Sequence, residues 1–172
     1  MMFLTLMVFE VNWALAAFAG HSAWPWMLVG IVVLLVLVQR SFGLVSMPWL
    51  GLFAALGIAV DQVLMMLNFL AFDSALLPVF MLLLWVSFAL TLPQMLKLMG
   101  RFSVPAFALF GPLSYLAAER LGVLSFPQPT LLSLIVLGGI WLMFGVFGQR
   151  YIYPRANPQA LLTHVSGGHH AS

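Results

Sequence analysis

The chain predicts an all-α, polytopic membrane protein: a six-transmembrane-helix bundle with a kinked fifth helix. Three observations carry that expectation. Of its 172 residues, 64% are hydrophobic and only 6% are charged, whereas a soluble domain carries about 25% charged residues. Six basic and four acidic side chains cannot cover such a chain with a polar skin, so lipid must replace water over most of its surface. The charged and turn residues also divide the chain into six apolar stretches, 2–20, 24–39, 47–70, 76–96, 103–120 and 130–149. Each is near the ~20 residues that cross a ~30 Å hydrocarbon core. Hydrocarbon, finally, offers no partners to open backbone groups, so each stretch must be a helix.

The elements follow in order. The first span carries Glu10 and Asn12 in its middle and has no Lys or Arg at its start. A secretory signal needs a basic start and a clean apolar centre, so this span is expected to be retained. "GHSAWPW" (20–26) is a tight link to the second span. Pro48, Pro78 and Pro105 fall in first turns, where a missing N–H costs little. "SFPQP" (125–129) separates the last two spans. The expected organisation is a transmembrane domain over 1–153 and a polar, disordered cytoplasmic tail over 154–172. No internal repeat is legible. Neither the prolines nor the acids match between a first and a second three-helix half.

Orientation follows from the basic residues. With six spans, Arg40, Lys97, Arg101, Arg150 and Arg155 share one side and Arg120 stands alone on the other. The positive-inside rule then puts both termini in the cytoplasm, with the protein in the bacterial inner membrane. Trp24 and Trp26 would sit at the outer interface, and Trp49, Tyr151 and Tyr153 at the inner one.

Other classes are excluded or disfavoured. There is no cysteine, which removes disulfides and thiolate metal sites. The basic residues are scattered, so nucleic acid is not an expected partner. Three of the four histidines, His164, His169 and His170, lie in the tail. No metal and no cofactor are expected, and there is no nucleophile-elbow, zincin or phosphate-loop motif.

What chemistry the chain offers lies inside the membrane, where polar side chains are costly and mark function by default. Asp61 in "GIAVDQVL" and Glu10 are the two deep acids. Asn68 is two helical turns from Asp61, on the same face. Trp85 and Ser87 follow on the fourth helix. In "FGPLSYLAAERLG" (110–122), Gly111 and Pro112 should bend or break the fifth helix and free a carbonyl near Ala108. Ser114 and Tyr115 follow, and Glu119 shares the face of Tyr115. Glu119 and Arg120 are neighbours about 100° apart, so they are not expected to pair. Asp61, Glu10, Tyr115, Ser114, Glu119, Asn68 and Trp85 are the candidate ligand- or proton-binding set, with Gly111 and Pro112 as the helix-break candidates. Each also has a plainer role, as interhelical hydrogen bonds or a solvated rim.

With these residues, the Gly-Pro-Leu-Ser-Tyr run, Asp61 in "GIAVDQVL" and "LWVSFALTL" (84–92), the chain resembles an uncharacterised bacterial inner-membrane family, Domain of Unknown Function 2878. The resemblance covers roughly 8–150. It implies a small multi-helix membrane protein without an established reaction, in a lipid context. This chain departs from the pattern at Pro93, Gln94 and Met95, where polar residues are expected.

Three function classes remain. The first expectation is an accessory or assembly protein whose partners are membrane lipids and another membrane protein. The second is a small proton-coupled carrier using Asp61 and Glu10. The third is a lipid-binding or acyl-chain-modifying membrane enzyme with Met- and Phe-rich walls. A carrier requires an aqueous cavity reaching Asp61. A lipid-handling protein requires a lateral groove with Tyr115 or Glu119 at its mouth. An accessory protein requires neither.

Overall fold

The computed structural model describes residues 1–42 and 47–156. The helices are α1 (Met2–Ala19), α2 (Trp24–Phe42), α3 (Met47–Met66), α4 (Val79–Met99), α5 (Ser103–Arg120) and α6 (Thr130–Phe147). A π turn, Gly148–Ile152, carries α6 into a short last helix, α7 (Tyr153–Ala156). The helical part therefore passes the expected boundary at 153. The rest of the predicted tail, with His164, His169 and His170, lies outside the described residues. Among the described residues there is no β-sheet, only an antiparallel bridge between Ala71 and Ser125.

Four helical runs are long and apolar enough to cross a membrane: Met2–Phe42, Met47–Met66, Val79–Arg120 and Thr130–Arg155. Two of them fold back on themselves. In a straight helix Trp85 and Tyr115 would stand about 45 Å apart, yet both bond to Asp61. Asn12 and Met27 would stand about 22 Å apart, yet the Asn12 amide reaches the Met27 carbonyl at 3.3 Å. The reversals fall at short 3₁₀ turns, Gly20–Ala23 and Gly100–Phe102. Gly20 and Gly100 open them with φ of 50° and 52°, a left-handed conformation that costs other residues more.

The helix α4 is the centre of the bundle. It packs against α1, α2 and α3, while α5 packs mainly on α6. The other helices bury one stripe and expose large apolar side chains, such as Phe3 at 76%, Phe18 at 74% and Met143 at 70%. Apolar surface spread this widely suits hydrocarbon, since soluble monomers rarely expose contiguous apolar patches beyond a few hundred Å².

The two ends of the bundle differ. At one end Gln149 donates to the Gly100 carbonyl and to Ser103 Oγ. There Trp49 stacks on Tyr151 at 5.5 Å, and the Arg155 guanidinium lies 4.2 Å over the Trp49 ring. Arg40, Lys97, Arg101 and Arg150 belong to the helix ends on this side. Arg120 sits at the opposite end, near the Ala71–Ser125 bridge.

The α3–α4 and α5–α6 hairpins repeat one another, which corrects the expectation of no repeat. Asp61 and Tyr115 are 54 residues apart and hydrogen-bonded. At the same offset stand Asn68 and Gly122, both at positive φ, and the bridged pair Ala71 and Ser125. Both helices end in the same cap. The Phe69 N–H returns to Leu64 O and Asn68 to Met65 O on α3; Val123 returns to Ala118 O and Gly122 to Glu119 O on α5. Each is a Schellman motif with a left-handed residue at C′. Equivalent residues touching one another is what a two-fold axis between two units produces. The repeat was hidden because its unit is a helix pair, not half the chain. Few identities survive, among them Gly57 and Gly111, Leu70 and Leu124, and Phe72 and Phe126.

Candidate functional site

The site is built around two glycines, each one turn before a polar residue: Gly57 before Asp61 and Gly111 before Tyr115. A Cβ on Gly57 would lie 2.2 Å from the Trp85 ring, and one on Gly111 would lie 2.1 Å from Trp141. The missing side chains let each indole lie flat across the facing helix. Trp85 and Trp141 then stack at 5.5 Å with an interplanar angle of 16°. Seated there, the Trp85 Nε1–H donates to Asp61 Oδ2 at 2.6 Å, and the Tyr115 hydroxyl donates to Asp61 Oδ1 at 2.7 Å. Asp61 is 1% exposed, and both its oxygens accept a bond. The structure thus gathers three of the sequence candidates, Asp61, Trp85 and Tyr115, from three helices. Trp141, which the sequence reading passed over, completes the group. A Gly at i−4 from a buried polar residue is the signal that could have found it.

A second polar tie joins α1, α2 and α4. The Asn12 amide donates to Ser87 Oγ at 2.8 Å, and Ser87 in turn donates to the Leu83 carbonyl at 2.9 Å. A Cβ on Gly30 would strike the Asn12 amide at 2.2 Å, so Gly30 makes the room for this bond.

Several candidates take other roles. Asn68 is exposed and does not join Asp61. Its φ of 56° makes it the end of α3, which stops at Met66 and not at residue 70, so the shared-face argument fails for lack of helix. Gly111 and Pro112 are buried inside an unbroken α5, so they do not break it. Pro112 cannot bond the Ala108 carbonyl, and α6 covers that carbonyl with Gly138, whose Cβ would lie 3.7 Å away. Ser114 donates to the Gly111 carbonyl at 2.7 Å. Glu119 does pair with Arg120, at 3.5 Å, because the long Arg side chain folds back toward its neighbour. Glu119 Oε2 makes no hydrogen bond, and Arg120 is 78% exposed, so this rim contact is worth little.

Beside the Asp61 group runs a groove of about 370 Å³. Its walls are α1 and α5, and its floor is α4 with Trp141. Along α4 it extends from Met81 to Met99, about 27 Å at the helical rise. Phe9, Trp13, Phe107, Phe110 and Tyr115 supply aromatic walls. Phe107 is 3% exposed and Phe110 61%, so the groove deepens from an open side toward the core. Asp61 is not among its lining residues; Trp85 and Tyr115 stand between. Nor is Glu119 at its mouth. Glu10, the other deep acid, lines it, and the side chain is exposed. Glu10 and Asn12 point to different sides of α1, so with Asn12 turned into the bundle Glu10 cannot reach Asp61. Among the described residues no three His, Asp or Glu side chains gather as a metal ion would require.

Fold and site define an all-helical protein with helices long and apolar enough to cross a membrane, a sealed polar node and an apolar groove beside it. The match to known sequences is in accord. The family described as protein of unknown function (DUF2878) matches residues 2–146, and the chain belongs to this family. No curated protein and no solved structure matches it.

Proposed function

We propose that this protein is a six-crossing membrane protein that binds a lipid or another long apolar chain in the groove between α1 and α5. The observation that carries it is the groove itself: lateral, about 27 Å long and lined by Phe, Trp and Met side chains. An apolar cleft open toward hydrocarbon fills with an apolar chain, since water there would leave its hydrogen bonds unmade. The accessory role asks for packed faces without such a groove, and so ranks lower. The proton-carrier role asks for water at Asp61, and the side chain is closed off by Trp85 and Tyr115. We assign the Asp61 node to holding the groove floor in place.

The test is mass spectrometry of lipids retained through purification in a mild nonionic detergent. The intact protein should carry about one chain per copy. Ala118→Phe, which fills the groove from α5, should carry much less at equal yield. Equal retention by both proteins would overturn the assignment.

The crossings and their direction are part of the same proposal. The five basic residues at one end support a direction in which that end, with both termini, faces the cytoplasm from a bacterial inner membrane. Since the chain has no cysteine, single cysteines report their own exposure. Ser22→Cys and Ser74→Cys should react with an impermeant thiol reagent on intact cells, and Arg101→Cys should not. The reverse pattern would turn the protein over.

A further inference from the structure

We infer that the groove selects a positively charged amphiphile, a long-chain amine or quaternary ammonium, with Glu10 as the counter-charge. This rests on the groove being a chain-binding site and adds the charge of what it holds.

Glu10 is the sole charged residue among those lining the groove. It lies about 12 Å along α1 from Met2, near the middle of the span. Among the described residues it has no hydrogen bond and no ion pair. The basic residues are elsewhere: Arg120 at the opposite rim beside Glu119, the others at the basic end. A carboxyl group at this depth is costly unless something pairs with it, and the described residues supply nothing.

The hydroxyl donors and the Trp85 N–H are already committed. Ser114 donates to the Gly111 carbonyl, Tyr115 to Asp61 and Trp85 to Asp61. Trp13 and Trp141 leave indole N–H groups, which are neutral and cannot balance an anion. A carboxylate or phosphate headgroup in the groove would therefore meet Glu10 as a like charge. A cation meets the opposite: a carboxyl group, and the aromatic residues Phe9, Trp13 and Phe110, a ring type whose face attracts positive charge. The methylene chain lies along the Met and Phe floor in either case, so the acid decides among chains of equal length.

The experiment uses the full-length protein in a neutral detergent and bromine-labelled hexadecyl chains ending in an amine, an alcohol or a carboxylate. Bromine quenches the tryptophans that line the groove. The amine should bind about tenfold more tightly than the alcohol, the size expected for a desolvated cation–π contact with a counter-charge. The carboxylate should bind most weakly. Glu10→Gln, at an exposed position, should remove the preference for the amine over the alcohol. Glu10→Asp should keep part of the preference. Equal binding of the three chains, or a preference that survives Glu10→Gln, overturns the role of Glu10 and leaves the groove as a chain site. Absence of quenching by all three chains overturns the chain site as well.

Discussion

The α3–α4 and α5–α6 hairpins are two versions of one unit, and their differences locate the specialised parts. Both place a glycine under a tryptophan, both end the first helix in a Schellman cap, and both contribute one residue to the bridge at the far end. They differ where they meet. The first presents an acid at the shared position and the second a phenol, so where two carboxylates would repel the pair makes a hydrogen bond of 2.7 Å. They differ also in surroundings. The α4 helix is covered by α1 and α2, whereas α5 leaves its open face to the groove. One unit forms the centre of the bundle and the other a wall of a candidate binding site.

The largest effect should come from Asp61→Leu. It strands the Trp85 N–H and the Tyr115 hydroxyl together inside the bundle, at about 1–3 kcal/mol for each buried group left unpaired, and should lower both the thermal midpoint in detergent and the yield. Asp61→Asn keeps an acceptor and should lose less. If Leu and Asn behave alike, the node is not a hydrogen-bonded one.

Next come the paired glycines. Gly57→Ala and Gly111→Ala each push a methyl group into an indole, and overpacking of this kind costs about 1–3 kcal/mol. Equal losses of thermal midpoint are expected if the hairpins are equivalent. A much smaller loss at Gly111 would mean that α6 slides on α5 where α4 cannot slide on α3.

Tyr115→Phe removes one bond of the two and leaves the rings in place. Interhelical hydrogen bonds in membranes contribute about 0.6 kcal/mol on average and up to about 1.7. A double-mutant cycle with Asp61→Asn should recover a coupling of that order.

The smallest effect tests the caps. Asn68→Gly makes the end of α3 like that of α5 and should stabilise by roughly 0.5 kcal/mol, since glycine tolerates the left-handed conformation better than asparagine. Gly122→Asn should lose a similar amount. Changes of the same sign would show that the two caps are not equivalent.

Much of this architecture is readable along the chain. The length of each apolar stretch and the punctuation between them place the helices within a few residues, because apolar runs of ~20 residues bounded by turn signals read as helices. Tyr115, Trp85 and Asp61 could be named as candidates because polar groups are rare in such stretches. That they are partners could not be named, since 54 residues separate Tyr115 from Asp61 and spacing along one helix says nothing about a neighbour. Asn68 shows the converse: two turns place it below Asp61 only if the helix continues, and a left-handed residue ends it.

The sequence by itself determined the apolar character, the helices and the asymmetry of charge, since these depend on composition and on short-range periodicity. Tertiary structure decided which acid is enclosed and which lines the groove. Asp61 is sealed because two glycines let two indoles lie flat, and Glu10 faces the groove because Asn12 takes the bundle side of α1. Both outcomes depend on contacts between distant helices, where the absence of a side chain matters as much as its presence.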